Sequence, residues 1–223
     1  MNDNFLKNVP LFRGMSADEV KKALSCMDAK EKRYKKDEII FCAGSAISEI
    51  GLVVSGSVNI VVTFYNGSRH IFSHVEQGDI FGENYAAIPG RELLSDAVAA
   101  QDSEILFFNM AKFTATCFSS CEFHRQLIEN LLLISAEKNL QLSSRMLHTA
   151  PRTIRERLIS YLSEQAIKNS ANHFVIPFDR QQLADYLGAD RSAMSNELSK
   201  MRHDGLIDFK KSEFWLKQMP GEN

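Results

Sequence analysis

Basic and polar side chains between residues 191 and 196 have the types and spacing in this sequence that most clearly indicate a binding function. Arg191 has the geometry for two parallel hydrogen bonds to guanine, and Asn196 for two to adenine. Ser192 and Ser195 fall on the same side of a predicted helix, where short side chains allow another molecule to approach closely. The pattern indicates contact with base edges in the major groove of DNA.

Two helices joined by a tight turn are predicted to carry these side chains. Asp179 and Gln182 form a capping box at the start of the first helix. Gly188 suits the turn because it adopts positive φ at little cost, and Asp190 can cap a second helix over residues 191–203. The apolar residues expected to face inward are Leu183, Ala184, Leu187, Met194, Leu198 and Met201. We therefore predict a helix-turn-helix, the plainer alternative being two ordinary packed helices.

A basic hairpin is predicted after the second helix. Residues 206–209 and 213–216 favour strands, and Lys211 lies in the turn between them. A positive tip can lie against phosphates, so Lys211 and Arg180 are predicted phosphate contacts that position the protein without specifying sequence. Gln181 belongs to the same set of predicted DNA-binding residues.

Two further groups of residues have spacings that suit metal or redox chemistry. Cys117 and Cys121 would share one helical turn as a redox pair or as metal ligands, but small core cysteines are the favoured interpretation. His70 and His74 share one face of a predicted strand, yet two histidines are too few for a metal site. The sequence has no nucleophile elbow, P-loop or dinucleotide motif, so we predict neither an enzyme nor a bound metal or cofactor.

Composition places the chain among ordinary globular proteins. Its 223 residues are 44% hydrophobic and 24% charged, and no apolar run approaches membrane length. Residues 1–7 do not form a signal sequence, and four cysteines without a paired framework favour a reducing compartment, so we expect a cytoplasmic protein. The net charge of −2 is not typical of a strong nonspecific DNA binder, so the DNA prediction depends on the helix-turn-helix pattern.

The first half of the chain changes from a short helical segment to strands. Residues 5–29 predict helix, with a capping box that Ser16 and Glu19 begin. From residue 33 to residue 109 the hydrophobic period is two. The strands expected there are 38–41, 50–54, 58–62, 71–75, 97–100 and 104–108. Turn signals at intervals near ten residues, with Asn66-Gly67 as the strongest hairpin signal, predict a β-sandwich or small barrel.

A long helix over residues 121–146 carries two apolar stripes. The first stripe is Phe123, Leu127, Leu131 and Ile134, which can cover the β-domain. The second is Ile128, Leu132, Ser135, Asn139, Leu142 and Met146. This second stripe is typical of a dimeric coiled coil whose register a buried amide fixes, while the alternative is one wide stripe on a single core.

Taken together, these motifs resemble the Crp/Fnr family of bacterial transcription regulators over nearly the whole chain. The matching segments are 36–44, 54–58, 77–83, 180–184 and 188–191. The resemblance implies an α+β fold: a double-stranded β-helix (jelly-roll) sensor domain (1–120), a long dimerisation helix (121–148) and a winged helix-turn-helix domain (149–223). It also implies a homodimer on double-stranded DNA, RNA polymerase as a further partner, and a small-molecule effector site between the roll and the long helix.

The effector site implied by the resemblance contains Gly82, Glu83, Tyr85, Leu94 and Ser95. Members that bind cyclic nucleotides have an arginine before the serine, whereas this chain has Leu94 there, and Arg91 is three residues away. Because leucine offers no charged donor to a phosphate, the sequence argues against cyclic AMP. Side chains such as Ile88, Leu93 and Leu94 predict an apolar pocket for a hydrophobic or aromatic ligand. The cysteine cluster of the family's oxygen sensors is represented near the N-terminus only by Cys26, which argues against an iron–sulfur centre.

The family alignment also assigns the residues that read DNA. Arg191 matches a base-contacting arginine, while Ser192 and Asn196 occupy positions usually held by glutamate and arginine, so the half-site should differ from the family's best-known consensus. An ion pair of Arg191 with Asp190 or Glu197 is the structural alternative. The alternative function for the whole chain is a cupin-like small-molecule-binding or metal-dependent roll with an incidental helical tail.

Overall fold

The computed structural model describes residues 3–114 and 122–217, which fall into two compact units, residues 1–135 and 136–223. The predicted pair Cys117 and Cys121 lies outside the described residues. None of the described helices combines the length and the apolar character that crossing a membrane requires.

Short helices open the first unit: α1 (Asp3–Leu6), a 3-10 turn (Pro10–Phe12) and α2 (Ala17–Cys26). The capping box predicted at Ser16 is confirmed, because the Glu19 amide donates to Ser16 Oγ and the Ser16 amide donates to Glu19 Oε2 at 2.7 Å. Val20, Ala23 and Leu24 are buried on the inner face of α2.

The β-domain consists of two four-stranded sheets, which confirms the jelly-roll prediction. Its strands are β1 (Lys30–Tyr34), β2 (Ile39–Phe41), β3 (Glu49–Ser55), β4 (Val58–Thr63), β5 (Arg69–Val75), β6 (Ile80–Phe81), β7 (Asp96–Ala99) and β8 (Ser103–Asn109). One sheet has the order β1-β8-β3-β6 and the other β2-β7-β4-β5, and all pairings are antiparallel.

The six predicted strands are present, with bounds that shift by up to two residues. The Asn66-Gly67 hairpin is confirmed between β4 and β5, where Gly67 has a φ of +79°. Strand β1, strand β6 and the short helices α3 (Glu83–Ala86) and α4 (Met110–Thr114) were not predicted. Strand β1 reads Lys-Glu-Lys-Arg-Tyr and is mostly exposed, so it carries no hydrophobic alternation, and its pairing with β8 defines it.

The turn between β3 and β4 requires glycine. Gly56 has a φ of +82°, and a Cβ there would lie 2.3 Å from Ser103 Oγ. That hydroxyl accepts from the Ser57 amide at 3.1 Å and donates to the Gln101 carbonyl at 2.7 Å. Residues Ser55-Gly56-Ser57 therefore close the turn against β8.

The long helix α5 (Glu122–Thr149) ends three residues later than predicted, and the boundary between the two units falls within it. Phe123 and Leu127 are buried in the core of the first unit, with Leu131 and Ile134 packed against it, so the first predicted stripe is confirmed. Between them Asn130 donates to the carbonyls of Leu11 and Arg13 at 2.9 Å.

The second unit contains α6 (Ile154–Asn169), β9 (His173–Val175), α7 (Arg180–Leu187), α8 (Arg191–His203), β10 (Ile207–Lys210) and β11 (Glu213–Leu216). Thr153 and Glu156 form a capping box at the start of α6. The strands form an antiparallel sheet in the order β10-β11-β9, and Phe174 and Phe214 pack from it into the core under the helices.

Candidate nucleic-acid interface

Helix α7 has the predicted signals at both ends. The Gln182 amide donates to Asp179 Oδ1 and the Asp179 amide donates to Gln182 Oε1, both at 2.8 Å. At the other end Gly188 has a φ of +60°, so the chain turns at once into α8. Leu183, Ala184 and Leu187 are buried as predicted.

Two arginines from other helices satisfy the carbonyls at the end of α7. Arg157 Nη1 donates to the carbonyls of Leu187 and Gly188 at 3.1 and 3.0 Å. Arg145 donates to the carbonyl of Tyr186 at 3.3 Å, and its guanidinium lies over the Tyr186 ring. The last carbonyls of a helix lack intrahelical partners, so these contacts fix the turn. Sequence reasoning did not find either arginine, because no local signal marks them.

Asp190 caps α8, as predicted. Its Oδ1 accepts from the Ser192 hydroxyl at 2.5 Å and from the Ala193 amide at 2.9 Å, and these bonds hold the pKa of Asp190 below its ordinary value. Met194, Leu198 and Met201 are fully buried. The opposite face of α8 is therefore directed to solvent.

The predicted base-reading residues lie together on that outer face. Arg191, Ser192 and Asn196 are exposed and Ser195 is half-buried. Within the described part of the chain Arg191 forms no ion pair, because Asp190 is engaged in the cap and Glu197 is engaged elsewhere. The structural alternative for Arg191 is thus not what the chain adopts.

A forked ion pair holds α8 against α6. Arg155 Nε lies 2.5 Å from Glu197 Oε1 and its Nη2 lies 2.7 Å from Asp204 Oδ2. The hydrogen bonds to Glu197 and then to Asp204 raise the pKa of Arg155. Because the two carboxylates lie along α8 on the side of Arg155, the fork restrains rotation of α8 about its axis. Sequence reasoning missed this arginine also.

The hairpin of β10 and β11 presents the predicted basic tip, and Lys211 there is exposed. Arg180 is placed differently: it is half-buried, with its guanidinium carbon 4.8 Å from the centroid of the Phe209 ring and 5.1 Å from that of Phe214. Desolvation lowers the pKa of Arg180, and no group of the described residues hydrogen-bonds to its buried Nη1. Gln181 Nε2 donates to Asp185 at 2.9 Å.

The second stripe of α5 is largely exposed in the single chain. Leu132 is 67% exposed, Leu142 50% and Met146 71%, while Ile128 and Asn139 are also exposed and Ser135 is half-buried. Among the described residues, none of the six belongs to the buried core of the first unit, which contrasts with Phe123 and Leu127 of the first stripe. The described residues therefore do not show the alternative of one wide stripe buried on one core.

Three residues of the predicted effector site, Gly82, Glu83 and Tyr85, lie in or next to α3, and Leu94 and Ser95 directly precede β7. Gly82 caps this short helix with a φ of +80°, and Glu83 is buried. Tyr85 and Ser95 are half-buried, whereas Leu94 is 72% exposed. Ile88 is also exposed and Leu93 is buried, so the single chain does not enclose these side chains together.

The other candidate sites are explained by local contacts. His74 Nδ1 lies 2.7 Å from Asn59 Oδ1, and the His70 ring packs edge-on against Phe64. Cys26 Sγ lies 3.6 Å from Nε2 of the buried His124. The described residues contain no cluster of three or more histidines, cysteines or carboxylates arranged to hold a metal.

Comparison with known protein families accounts for both parts of the chain. Residues 31–120 match the cyclic nucleotide-binding domain, and residues 156–221 match the Crp-like helix-turn-helix domain. The chain belongs to the Crp/Fnr family of transcription regulators. The predicted function of a DNA-binding regulator rather than an enzyme is confirmed at this level, and the cupin-like alternative is not favoured.

Two relatives match most of the chain. The transcriptional activator protein FnrL of Cereibacter sphaeroides is 24% identical over 188 residues, which are 79% of this chain and 71% of the relative. The cyclic AMP receptor protein of Thermus thermophilus is 26% identical over 213 residues, which are 91% and 89% of the two chains.

Solved structures share the fold at lower identity. CprK in complex with OCPA has a TM-score of 0.62 at 13% identity, covering 90% of this chain and 92% of its own. The c-di-GMP-responsive regulator CLP of Xanthomonas campestris has a TM-score of 0.59 at 17% identity, covering 92% and 100%. These similarities concern the fold alone.

Proposed function

We propose that this Crp/Fnr regulator acts as a homodimer on a near-palindromic DNA site, with one α8 helix from each copy in the major groove. The observation that carries the proposal is the outer face of α8. Arg191 is exposed there and forms no ion pair with a described residue, while Glu197 on the same helix pairs with Arg155. Arg191 contacts guanine, Asn196 contacts adenine, and Ser192 and Ser195 complete the surface.

Lys211, Arg180 and Gln181 contact the DNA backbone in this proposal. Lys211 is exposed at the hairpin tip and reaches phosphates directly. Arg180 is the first residue of α7, and its guanidinium packs over the rings of Phe209 and Phe214 in the hairpin. These contacts position the protein and contribute little to sequence choice.

The homodimer is proposed to form along the exposed stripe of α5, with Asn139 as the polar residue that fixes register. The chain then divides by role into a sensor roll (1–120), a dimerisation helix (121–148) and a DNA-binding domain (149–223). We place it in the cytoplasm, with the DNA that it binds. The relative FnrL is named an activator, and on that ground we include RNA polymerase among the partners.

The effector is proposed to be a small molecule other than cyclic AMP. One relative is named a cyclic AMP receptor protein. The family resemblance predicts that this chain has Leu94 at the position of the phosphate-binding arginine. A neutral, hydrophobic or aromatic ligand fits the residues around α3 better than an anionic one.

A hydroxyl-radical footprint of the protein on the DNA upstream of its own gene tests the dimeric arrangement. We expect two protected stretches whose centres lie about one helical turn, roughly 34 Å, apart and are related by approximate two-fold symmetry. A single protected stretch, or protection without sequence preference, would contradict the proposal.

A further inference from the structure

The fork that Arg155 makes from α6 holds α8 at two separated points. Its Nε lies 2.5 Å from Glu197 Oε1, and its Nη2 lies 2.7 Å from Asp204 Oδ2. Glu197 and Asp204 are seven residues apart, which is two helical turns or about 10 Å along the axis. One planar guanidinium therefore restrains both the rotation of α8 about its axis and its tilt.

The two carboxylates lie on the side of α8 away from the predicted base-reading residues. At about 100° per residue, Glu197 and Asp204 fall roughly half a turn around the helix from Ser195. The side chain of Arg155 is 35% exposed and that of Glu197 is 18% exposed, so the contact is partly shielded from water. In the proposed complex Arg155 does not face the DNA, and its effect on binding passes through α8.

The apolar contacts of α8 are less directional than the fork. Met194, Leu198 and Met201 are fully buried and attach the helix to the core of the second unit. Burial of apolar surface is non-directional, so a small rotation or slide of α8 retains most of the buried area. The fork is lost by such a movement, because both of its hydrogen bonds need the plane of the guanidinium.

Other polar contacts beneath the helix-turn-helix hold α7 rather than α8. Arg145 and Arg157 donate to carbonyls at the end of α7 and at its turn. The buried His148 at the end of α5 pairs with Glu164 on α6, and its Nδ1 lies 2.9 Å from the Tyr186 hydroxyl on α7. Removal of the Arg155 fork leaves these contacts in place, so its effect is confined to α8.

We propose that Arg155 is a positioning residue that sets the rotation and tilt of α8 and thereby the specificity of DNA binding. Bidentate contacts to base edges need aligned donors and acceptors, whereas nonspecific affinity comes from charge near phosphates and tolerates displacement. A shifted α8 therefore loses specific affinity and keeps most of its nonspecific affinity. The inference rests on the proposed function, in which α8 lies in the major groove.

The test compares two affinities of the full-length protein, one for its upstream DNA and one for a scrambled duplex of equal length. Both are measured by fluorescence anisotropy at one ionic strength. Arg155→Gln should lower the specific affinity about fivefold to tenfold and the nonspecific affinity by less than about twofold, so the specificity ratio falls. Arg155→Lys keeps the charge without the planar fork and should restore the ratio only in part. Arg152→Gln is the matched control, because it removes the same charge from an exposed side chain three residues away, and it should keep the ratio.

Glu197→Gln separates positioning from a simple effect of charge. Loss of a negative charge strengthens binding to both duplexes if charge alone matters. In the positioning role Glu197→Gln lowers the specificity ratio as Arg155→Gln does, although the two variants change the net charge in opposite directions. The double variant should be no less specific than Arg155→Gln alone, because both residues act through one contact.

The inference is overturned if Arg155→Gln lowers both affinities by the same factor, as a merely structural role would, or if Arg155→Lys restores the ratio fully. Stronger binding of Glu197→Gln to both duplexes, or an equal fall in the ratio for Arg152→Gln, would also overturn it. Failure of the proposed function is recognised separately, because the wild-type protein then shows no preference for its upstream DNA.

Discussion

The DNA-binding unit and the β-roll keep their family patterns to different degrees. In the former, the residues predicted to read bases share one exposed face of α8, and Arg155, Arg157 and Arg145 hold that helix and its turn in place. In the latter, Gly82 and Glu83 match the family pattern, but the resemblance predicts that Leu94 stands where other members have a phosphate-binding arginine. We therefore predict that the DNA-binding surface keeps the family pattern while the effector site departs from it.

The two regions differ in how strongly their side chains are tied to the hydrophobic core. The outer face of α8 depends on buried residues beneath it, such as Met194 and Leu198, and on the forked contact of Arg155. Leu94 is exposed and belongs to no core cluster among the described residues. A substitution at Leu94 is therefore expected to cost little folding stability.

The largest expected effect is the loss of specific DNA affinity when the dimer is disrupted. Replacing Leu132 and Leu142 with Asp should give monomers and reduce specific DNA affinity by about 100-fold or more, since two half-sites are no longer bound together. Sedimentation velocity and anisotropy measure both changes. Ile167→Asp is the matched control, because Ile167 on α6 is as exposed as Leu132. A double variant that stays dimeric would place the seam elsewhere.

A second prediction distinguishes residues that contact DNA bases from residues that contact only phosphates. Arg191→Ala should weaken binding to the true site by about 1–3 kcal/mol and relax selectivity at one base pair, because a bidentate contact to guanine is lost. Lys211→Ala should weaken binding to all sequences alike and reduce the salt dependence. Selection from random DNA distinguishes the two. Enrichment of the parental half-site by the Arg191→Ala protein would show that Arg191 does not read a base.

A smaller effect concerns the stability of the DNA-binding unit. His148→Gln should cost about 1 kcal/mol at pH 7.5, where a buried hydrogen bond is lost. Because the folded-state pKa of His148 is lowered, the unfolded chain binds a proton more readily, and wild-type stability falls as the pH drops through about 6.5 towards the folded-state pKa. The difference between the two proteins should therefore shrink by pH 5.5. Urea denaturation at equal protomer concentration measures it, and a constant difference would argue against titration of His148.

The last prediction is that cyclic nucleotides do not bind to this protein. Titration calorimetry with cyclic AMP or cyclic GMP at millimolar concentration should show no binding heat, because Leu94 provides no charge for the phosphate. Leu94→Arg is the informative partner variant and should acquire weak binding if the rest of the site is retained. Micromolar affinity of the unaltered protein for either nucleotide would remove the contrast between the two regions.

Much of the fold was predictable because its signals are local. Each correctly predicted local feature depends on residues a few positions apart, so it can be predicted from the sequence. These features are the capping boxes at Ser16 and Asp179, the turn at Gly188 and the hairpin at Asn66-Gly67. The buried and exposed faces of α8 follow from helical spacing alone. The outer-face residues were predicted on this basis.

Tertiary structure decided the contacts between residues far apart in sequence. Strand β1 exists because β8 pairs with it, and its own residues carry no alternating pattern. Arg155 meets Glu197 and His148 meets Tyr186 only because α6 and α5 pack against the helix-turn-helix. Whether Arg180 reaches solvent or packs on Phe209 depends likewise on where the hairpin folds back. The sequence by itself therefore determined which side of each helix is apolar and which is polar. Tertiary packing determined which polar side chains are paired and which stay exposed, because pairing depends on distances that local spacing does not encode.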